Sequence, residues 1–393
     1  MNDSGIKIEV HLIQNFAPSN LNRDDTGQPK SATFGGFRRA RVSSQCGKRA
    51  AREWWRGQGG VTVGDRTKRL QQIIGDELDK DQEFTEKVPD VEDRKTGIRL
   101  FTTAYYAAAD NQKPENTNVL IFIGPEEIAV CARVIKDIWD SEVRDKKELK
   151  ARKEIQDQIK AAQVSADIAL FGRMLAEQPG RNTDGACQVA HPISTHKVDM
   201  EMDFYTAVDD LKPTDETGAE MMGVVGFNSA CYYRYGLVDR DQLARNLARK
   251  VARKNGQWVE PLSTEDYKEA DTVIKAFLEA MVYAIPTGKQ NSFAAQNLPS
   301  FGLFVRRQGG IPISLANAFA KPVRPTKQDD DLIGLSVDRL TEHWDALKEV
   351  YGEQGVQAKA CFHVQQEGHL NGLSGSDKKT VADAIDVVME VKP

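Results

Sequence analysis

Segments with the two-residue period of a strand and segments with the helical period alternate irregularly along this chain, with long polar stretches between them. That order favours an α+β architecture over a doubly wound sheet, which needs strands and helices in regular succession. Residues 6–13 alternate, with Ile6, Ile8, Val10 and Leu12 on one side and Lys7, Glu9, His11 and Ile13 on the other. The pattern predicts a half-buried strand with His11 on its exposed face. Val119–Ile123 is a short apolar run stopped by Gly124-Pro125, and Ile128, Cys131, Ile135 and Ile138 then recur at helical spacing. A strand-turn-helix unit is expected there. The clearest helix runs from Ser263 to Pro286, with Tyr267, Ala270, Ile274, Phe277, Leu278 and Met281 on one face. An aromatic strand is expected at 231–235, further strands at 291–297 and 301–307, and helices at 337–351 and 376–390. Residues 60–117 are polar without a clear period and read as an insertion. Residues 195–229 carry Pro213, Gly218, Gly223 and Gly226 without an extended apolar period, and read as a long protruding hairpin or loop.

A length of 393 residues sets a prior of two or three folding units. No apolar run approaches the ~18 residues of a membrane span, so no membrane partner is expected. The first residues lead straight into the strand pattern, and the five cysteines are scattered and never C-x-x-C. Reduced thiols in a cytoplasmic protein are therefore expected, not a disulfide or zinc framework. Searching for catalysis yields little. His191 and His196 are five apart, which matches no metal motif. Asp24-Asp25, Asp209-Asp210 and Asp329-Asp330-Asp331 read as turn formers. Cys46 lies beside basic residues but has no histidine motif near it. The expectation is a protein that is not an enzyme and uses no cofactor and no metal.

Charge is informative only locally. The chain carries 53 basic and 58 acidic residues for a net charge of −5. Yet Lys30 to Arg52 holds seven basic residues (Lys30, Arg38, Arg39, Arg41, Lys48, Arg49, Arg52) and no acidic one. An acid-free basic segment in an acidic protein points to a local polyanion site. Within it, Phe34-Gly35-Gly36-Phe37 is a flexible turn, and Ser43 or Ser44 is the natural N-cap of a helix that begins Gln45-Cys46-Gly47-Lys48. Free N–H groups and the positive dipole end at such a terminus suit phosphate. Lys48 and Arg52 fall on one helical face, and no G-x-x-x-x-G-K-[ST] is present, which excludes a P-loop. A second charged stretch, Ser141–Lys160, puts Lys146, Lys150, Lys153 and Lys160 on one helical face. Pairs such as Glu142 with Lys146 and Glu148 with Arg152 make a solvated, self-stabilised helix its plain reading.

Leu21-Asn22-Arg23-Asp24-Asp25, Phe34 to Gln45 and Lys48-Arg49-Ala50 together resemble the N-terminal signature of the backbone subunit of type I-E CRISPR Cascade, the CasC family. Further matching blocks lie at 167–174, 190–199, 204–210, 232–235 and 314–319, in order along the chain. The resemblance implies an RRM-like (ferredoxin-like) palm at 1–59, 181–194 and 231–393. A helical fingers insertion would occupy 60–180, and a protruding β-hairpin thumb 195–230. It implies a non-catalytic, sequence-independent scaffold on guide RNA (crRNA), presenting the guide for pairing with target DNA. The implied partners are further copies of the chain and the large, small, guide-end-capping and guide-processing Cascade subunits. The RNA-binding set then comprises Asn22, Arg23, Lys30, Arg38, Arg39, Arg41, Ser43, Ser44, Gln45, Lys48, Arg49, Arg52 and Lys289. Met174 and Tyr205 join it as wedges against the bases. Lys146, Lys147, Lys150 and Lys153 would attract duplex DNA. The alternative is a metal-dependent ribonuclease of a related backbone type, with Asp24 or Asp25 as the catalytic aspartate.

Overall fold

The computed structural model describes residues 5–140, 145–175, 178–207, 221–327, 331–353, 355–364, 370–373 and 375–390. The expectations at Glu142, Asp209-Asp210, Asp329-Asp330 and the middle of the 195–230 segment concern residues outside them. Helices and a mainly antiparallel sheet are both present, and the chain divides into two compact units. One comprises residues 1–54, 188–238 and 275–393, the other 55–187 and 239–274. Residues 239–274, read from the sequence with the second part of the palm, thus group with the second unit.

In the first unit the strands Val356–His363, Phe301–Gln308, Ile6–Ser19 and Met221–Asp239 lie side by side in that order. The strand Ile6–Ser19 pairs antiparallel with Phe301–Gln308, His11 opposite Leu303, and Phe301–Gln308 pairs likewise with Val356–His363, Phe304 opposite Ala360. Apolar side chains from other elements cover the sheet on each side, so the first strand is buried on both faces, not one. Ile8, Val10 and Leu12 are fully buried, and so are Glu9 and His11. Phe277 and Met281 pack beside Val10 around Gly236. The opposite face joins Ile13, Leu303 and Val305 to Phe319, Leu340 and Trp344 in one apolar cluster. The polar residues on that face are held by partners far away in sequence. Glu9 Oε1 accepts from Arg307 Nε at 3.2 Å and from the Ile313 N–H at 3.3 Å. His11 Nδ1 lies 2.9 Å from the Tyr233 hydroxyl, which also accepts from the Leu315 N–H. His11 is therefore a core residue and not an exposed base.

The expected helix appears as Thr264–Tyr283, and Leu332–Tyr351 and Val381–Met389 fall near their expected places. The strand expected at 291–297 does not form. Lys289 and Ala294, with φ of 52° and 49°, bracket a single helical turn, Gln290–Phe293. Positive φ in non-glycine residues is incompatible with continuous strand geometry. The strand Val356–His363 was not anticipated.

In the second unit, residues 60–117 are largely helical: Leu70–Leu78, Gln82–Lys87 and Val91–Tyr105. The strand Ile121–Ile123 and helix Pro125–Ile138 follow as the sequence pattern predicts. Leu70, Ile74, Phe101, Ile123, Ile135 and Ile159 belong to one core. Asp81 and Asp90 cap two of the helices, Asp90 Oδ1 accepting from the Glu92 N–H at 2.8 Å. The lysine-rich stretch is two short helices rather than one. Lys146–Ala151 and Lys153–Ala161 meet at Arg152, whose extended ψ of 97° interrupts the helical path. Lys146, Lys147, Lys150 and Lys153 are exposed but not on a common helical face, because the break re-aims Lys153.

Candidate nucleic-acid interface

The acid-free segment forms a two-strand hairpin, Ser31–Phe34 with Phe37–Ala40, that leads into the helix Ser44–Gln58. Its turn residues Gly35 and Gly36 have φ of 60° and 82°, the left-handed geometry of a two-residue hairpin loop. Gly35 is further constrained by approach, since a Cβ there would lie 1.8 Å from the Ala320 carbonyl oxygen. Strand alternation then separates the two adjacent arginines. Arg38 points to solvent, whereas Arg39 is fully buried. Its guanidinium donates to the carbonyl oxygens of Ser194 (2.9 Å), Phe319 (2.6 Å) and Ala320 (3.3 Å).

Arg39 is thus a correction to the phosphate-binding set: it ties the hairpin to the body of the unit. Replacing Arg39 with alanine should lower the stability of the protein by about 2–3 kcal/mol, because hydrogen bonds to charged donors contribute about 1.5–3 kcal/mol and the carbonyls stay buried. Arg38→Ala should change it by less than about 0.5 kcal/mol, as at other exposed sites. Urea unfolding midpoints measure both; equal shifts would contradict this division.

Ser43 is the N-cap. Its Oγ accepts from the Cys46 N–H at 3.3 Å, and its own N–H donates to Asn22 Oδ1 at 2.8 Å. Ser43 and Asn22 therefore position the helix start, and Ser43 is itself buried. Ser44 and Lys48 are half-buried, and Gln45 and Arg49 are exposed on the first two turns. Arg52, one turn further on, is buried, which removes it as well from the solvent-facing set. Asn22, Arg23, Asp24, Asp25, Arg49 and Lys289 line one open groove of about 640 Å³. Lys30 and Arg41 adjoin each other through the Arg41 N–H, which donates to the Lys30 carbonyl at 2.9 Å. Arg41 Nη1 lies 2.8 Å from His191 Nδ1. Burial, and then the positive charges of Arg41 and Lys30, hold the His191 imidazole below its ordinary pKa. Burial pushes the Cys46 thiol up despite Lys30 and Arg49, which is the wrong direction for a nucleophile.

Asp24 is a turn former. Its Oδ1 accepts from the Thr26 N–H, the Thr26 hydroxyl and the Gln28 N–H at 2.8–3.0 Å, and these bonds hold its carboxyl below the usual range. His196 is structural, with Nε2 accepting from the Cys231 N–H at 3.2 Å. Among the described residues there is no group of three or more side chains placed to hold a metal ion. No helix there is long and apolar enough to cross a membrane.

Met174, in the second unit, is 83% exposed although its neighbours Arg173 and Leu175 are buried. Arg173 pairs with Thr183 through both backbone bonds at 2.9 Å, and the Leu175 N–H donates to Asn182 Oδ1. An apolar side chain is therefore held out to solvent on a fixed backbone. In the first unit, Glu201–Ala207 pairs antiparallel with the start of Met221–Asp239, Tyr205 opposite Gly223. A Cβ at Gly223 would lie 2.4 Å from the Tyr205 ring, so the glycine makes room for the tyrosine across the ladder. Met202, Phe204, Met222 and Val224 form an exposed apolar face on this hairpin.

The model of the CT1975-like protein family matches residues 8–387. A solved chain titled "CRISPR RNA-guided surveillance complex, pre-nicking" is similar at 27% identity, with a TM-score of 0.79, 98% of this chain and 99% of that one being covered. A second, titled "CRISPR RNA-guided surveillance complex", shares the fold at 24% identity and a TM-score of 0.70, with the same coverage. No curated protein matches. With a match spanning nearly its whole length, the chain belongs to the CT1975-like protein family.

Proposed function

We propose that this chain is a non-catalytic guide-RNA scaffold, a backbone subunit of a CRISPR RNA-guided surveillance complex in antiviral defence. One observation carries the reading. An acid-free hairpin and helix start carry Lys30, Arg38, Gln45, Lys48 and Arg49, and Arg49 joins Arg23 and Lys289, together with Asp24, Asp25 and Glu53, in lining one groove, in a chain 27% identical over 98% of its length to one from such a complex. Side chains of this kind fit a phosphodiester backbone and carry no base-reading pattern. Sequence would then be read by base pairing between guide and target DNA.

In this reading the first unit supplies the RRM-like palm, the second the helical fingers, and the hairpin built on Glu201–Ala207 the thumb, as in the type I-E CasC family. Met174 and Tyr205 act as wedges, since an apolar or aromatic side chain displaces any base without identifying it. The exposed apolar face of the hairpin supports head-to-tail repetition of copies along the guide, because such faces mark protein contacts. The remaining partners are the large, small, end-capping and processing subunits, and the complex works in the cytoplasm.

The competing ribonuclease reading would use Asp24 or Asp25, yet Asp24 is engaged in its own turn. RNA complementary to the guide, incubated with the assembly and Mg²⁺ with and without EDTA, should remain intact in both arms. Metal-dependent cleavage would replace the scaffold reading with the nuclease one. Reversing Lys146, Lys147, Lys150 and Lys153 to glutamate should leave guide content unchanged and slow association with duplex target several-fold, because sequence-independent attraction is electrostatic. Equal association rates would return these lysines to a purely solvating role.

A further inference from the structure

The second unit contains another acid-free basic run. From Gln242 to Val259 there are five basic residues (Arg245, Arg249, Lys250, Arg253, Lys254) and no acidic one. It ends in a small hairpin, Arg253–Lys254 with Gln257–Trp258, turned by Asn255 and Gly256 at φ of 52° and 80°. Arg253 is directly opposite Trp258 in the ladder, so both lie on one face. The Arg253 guanidinium sits 3.7 Å from the indole centre, and that of Arg245, from the helix Arg240–Leu247, sits 4.3 Å from it. Both guanidinium groups thus lie over the same indole, which is occupied by cations and is not an open platform for a base.

The other charges at the hairpin root have protein partners. Lys250 pairs with Asp266 at 2.6 Å. Arg249 donates through Nε and Nη2 to the Lys160 carbonyl near the end of Lys153–Ala161, which fastens the hairpin to that lysine-bearing helix. Arg245 donates to the Glu260 carbonyl at 2.9 Å. Arg253 and Lys254 at the tip are exposed, and among the described residues neither is in a salt bridge. A stacked guanidinium keeps its N–H edges free in a fixed plane, which suits bidentate contact with a phosphate.

We propose that this hairpin is a second nucleic-acid contact, with Arg253 and Lys254 gripping the phosphate backbone of duplex DNA irrespective of sequence. Duplex is the partner that fits, because it offers dense phosphate without requiring stacking, whereas single strands are held largely on aromatic faces. The site lies in a different unit from the hairpin and the first turns of the helix assigned to the guide, and the inference does not depend on that assignment.

The test uses the full chain, together with any RNA it carries, and a 30-base-pair duplex unrelated to that RNA. R253Q/K254Q and R253E/K254E are compared with the parent over a salt series, with a 30-nucleotide single strand as the second probe and urea midpoints as the folding control. Losing two phosphate contacts should flatten the duplex salt dependence by about 1.8 log units per decade and weaken binding ~30-fold at 0.15 M salt in the glutamine variant. Unchanged duplex affinity and slope, or a loss confined to the single strand, would overturn the proposal. Absence of RNA from the parent would count against the scaffold reading alone.

Discussion

Replacing Arg38, Lys48 and Arg49 together with alanine is expected to weaken RNA binding roughly 50-fold at 0.15 M salt and to flatten its salt dependence by about two log units per decade. The figure assumes one phosphate per side chain and a slope of about −0.7 per phosphate on a single strand. The three belong to the acid-free segment, Arg38 and Arg49 exposed and Lys48 half-buried, and none is part of the apolar core. The protein should therefore remain folded, and the loss should be the same for guides of different sequence. Adding Arg52→Ala should leave the slope where the triple variant put it, because Arg52 is buried. Filter binding or fluorescence anisotropy over a salt series measures all of this. An unchanged slope in the triple variant would remove these residues from the RNA interface.

Glu127→Ala is expected to have the largest effect on folding, a loss of about 3–5 kcal/mol, which is the cost of leaving buried charge uncompensated. Glu127 is buried and its carboxylate faces two buried arginines. Arg173 Nη1 lies 2.8 and 2.6 Å from its two oxygens, and Arg181 Nη2 lies 3.5 Å away. The same carboxylate accepts from the Gly124 N–H at 3.0 Å, closing the start of the helix Pro125–Ile138. Arg181 also rests over the Tyr106 ring at 4.1 Å, and Arg173 donates to the Phe122 carbonyl, so neither arginine can swing out to water without dismantling its surroundings. Because Arg173 precedes Met174, the substitution should also release that exposed side chain from its fixed position. Denaturant unfolding followed by fluorescence checks the prediction, and a loss below about 1 kcal/mol would contradict it.

Much of the candidate site was legible because its determinants are local. The glycine pair, the serine cap and the acid-free charge pattern all lie within 23 residues, Lys30–Arg52, and each acts on its neighbours. Even the different fates of Arg38 and Arg39 follow from the period of a strand. Arg245–Lys254 carries the same acid-free charge pattern in the sequence but no glycine-rich turn preceding a helix. The first strand was misread because its polar residues resemble a solvated face. Glu9 is tolerated in the core because Arg307 meets it from 298 positions along the chain, a contact no local period can announce. The helices in 60–117 were obscured by charge, although Leu70, Ile74 and Leu78 do form an i, i+4, i+8 stripe. At 291–297 the failure was one of backbone, since Lys289 and Ala294 adopt a conformation that their residue types rarely take.

The nucleic acid that co-purifies with the chain tests the central claim most directly, when it is expressed together with a CRISPR array. The scaffold account predicts RNA of discrete length, several protein copies on each molecule, and a copy number that rises in step as the guide is lengthened. Protein free of RNA, or a single copy on RNA of any length, would contradict it.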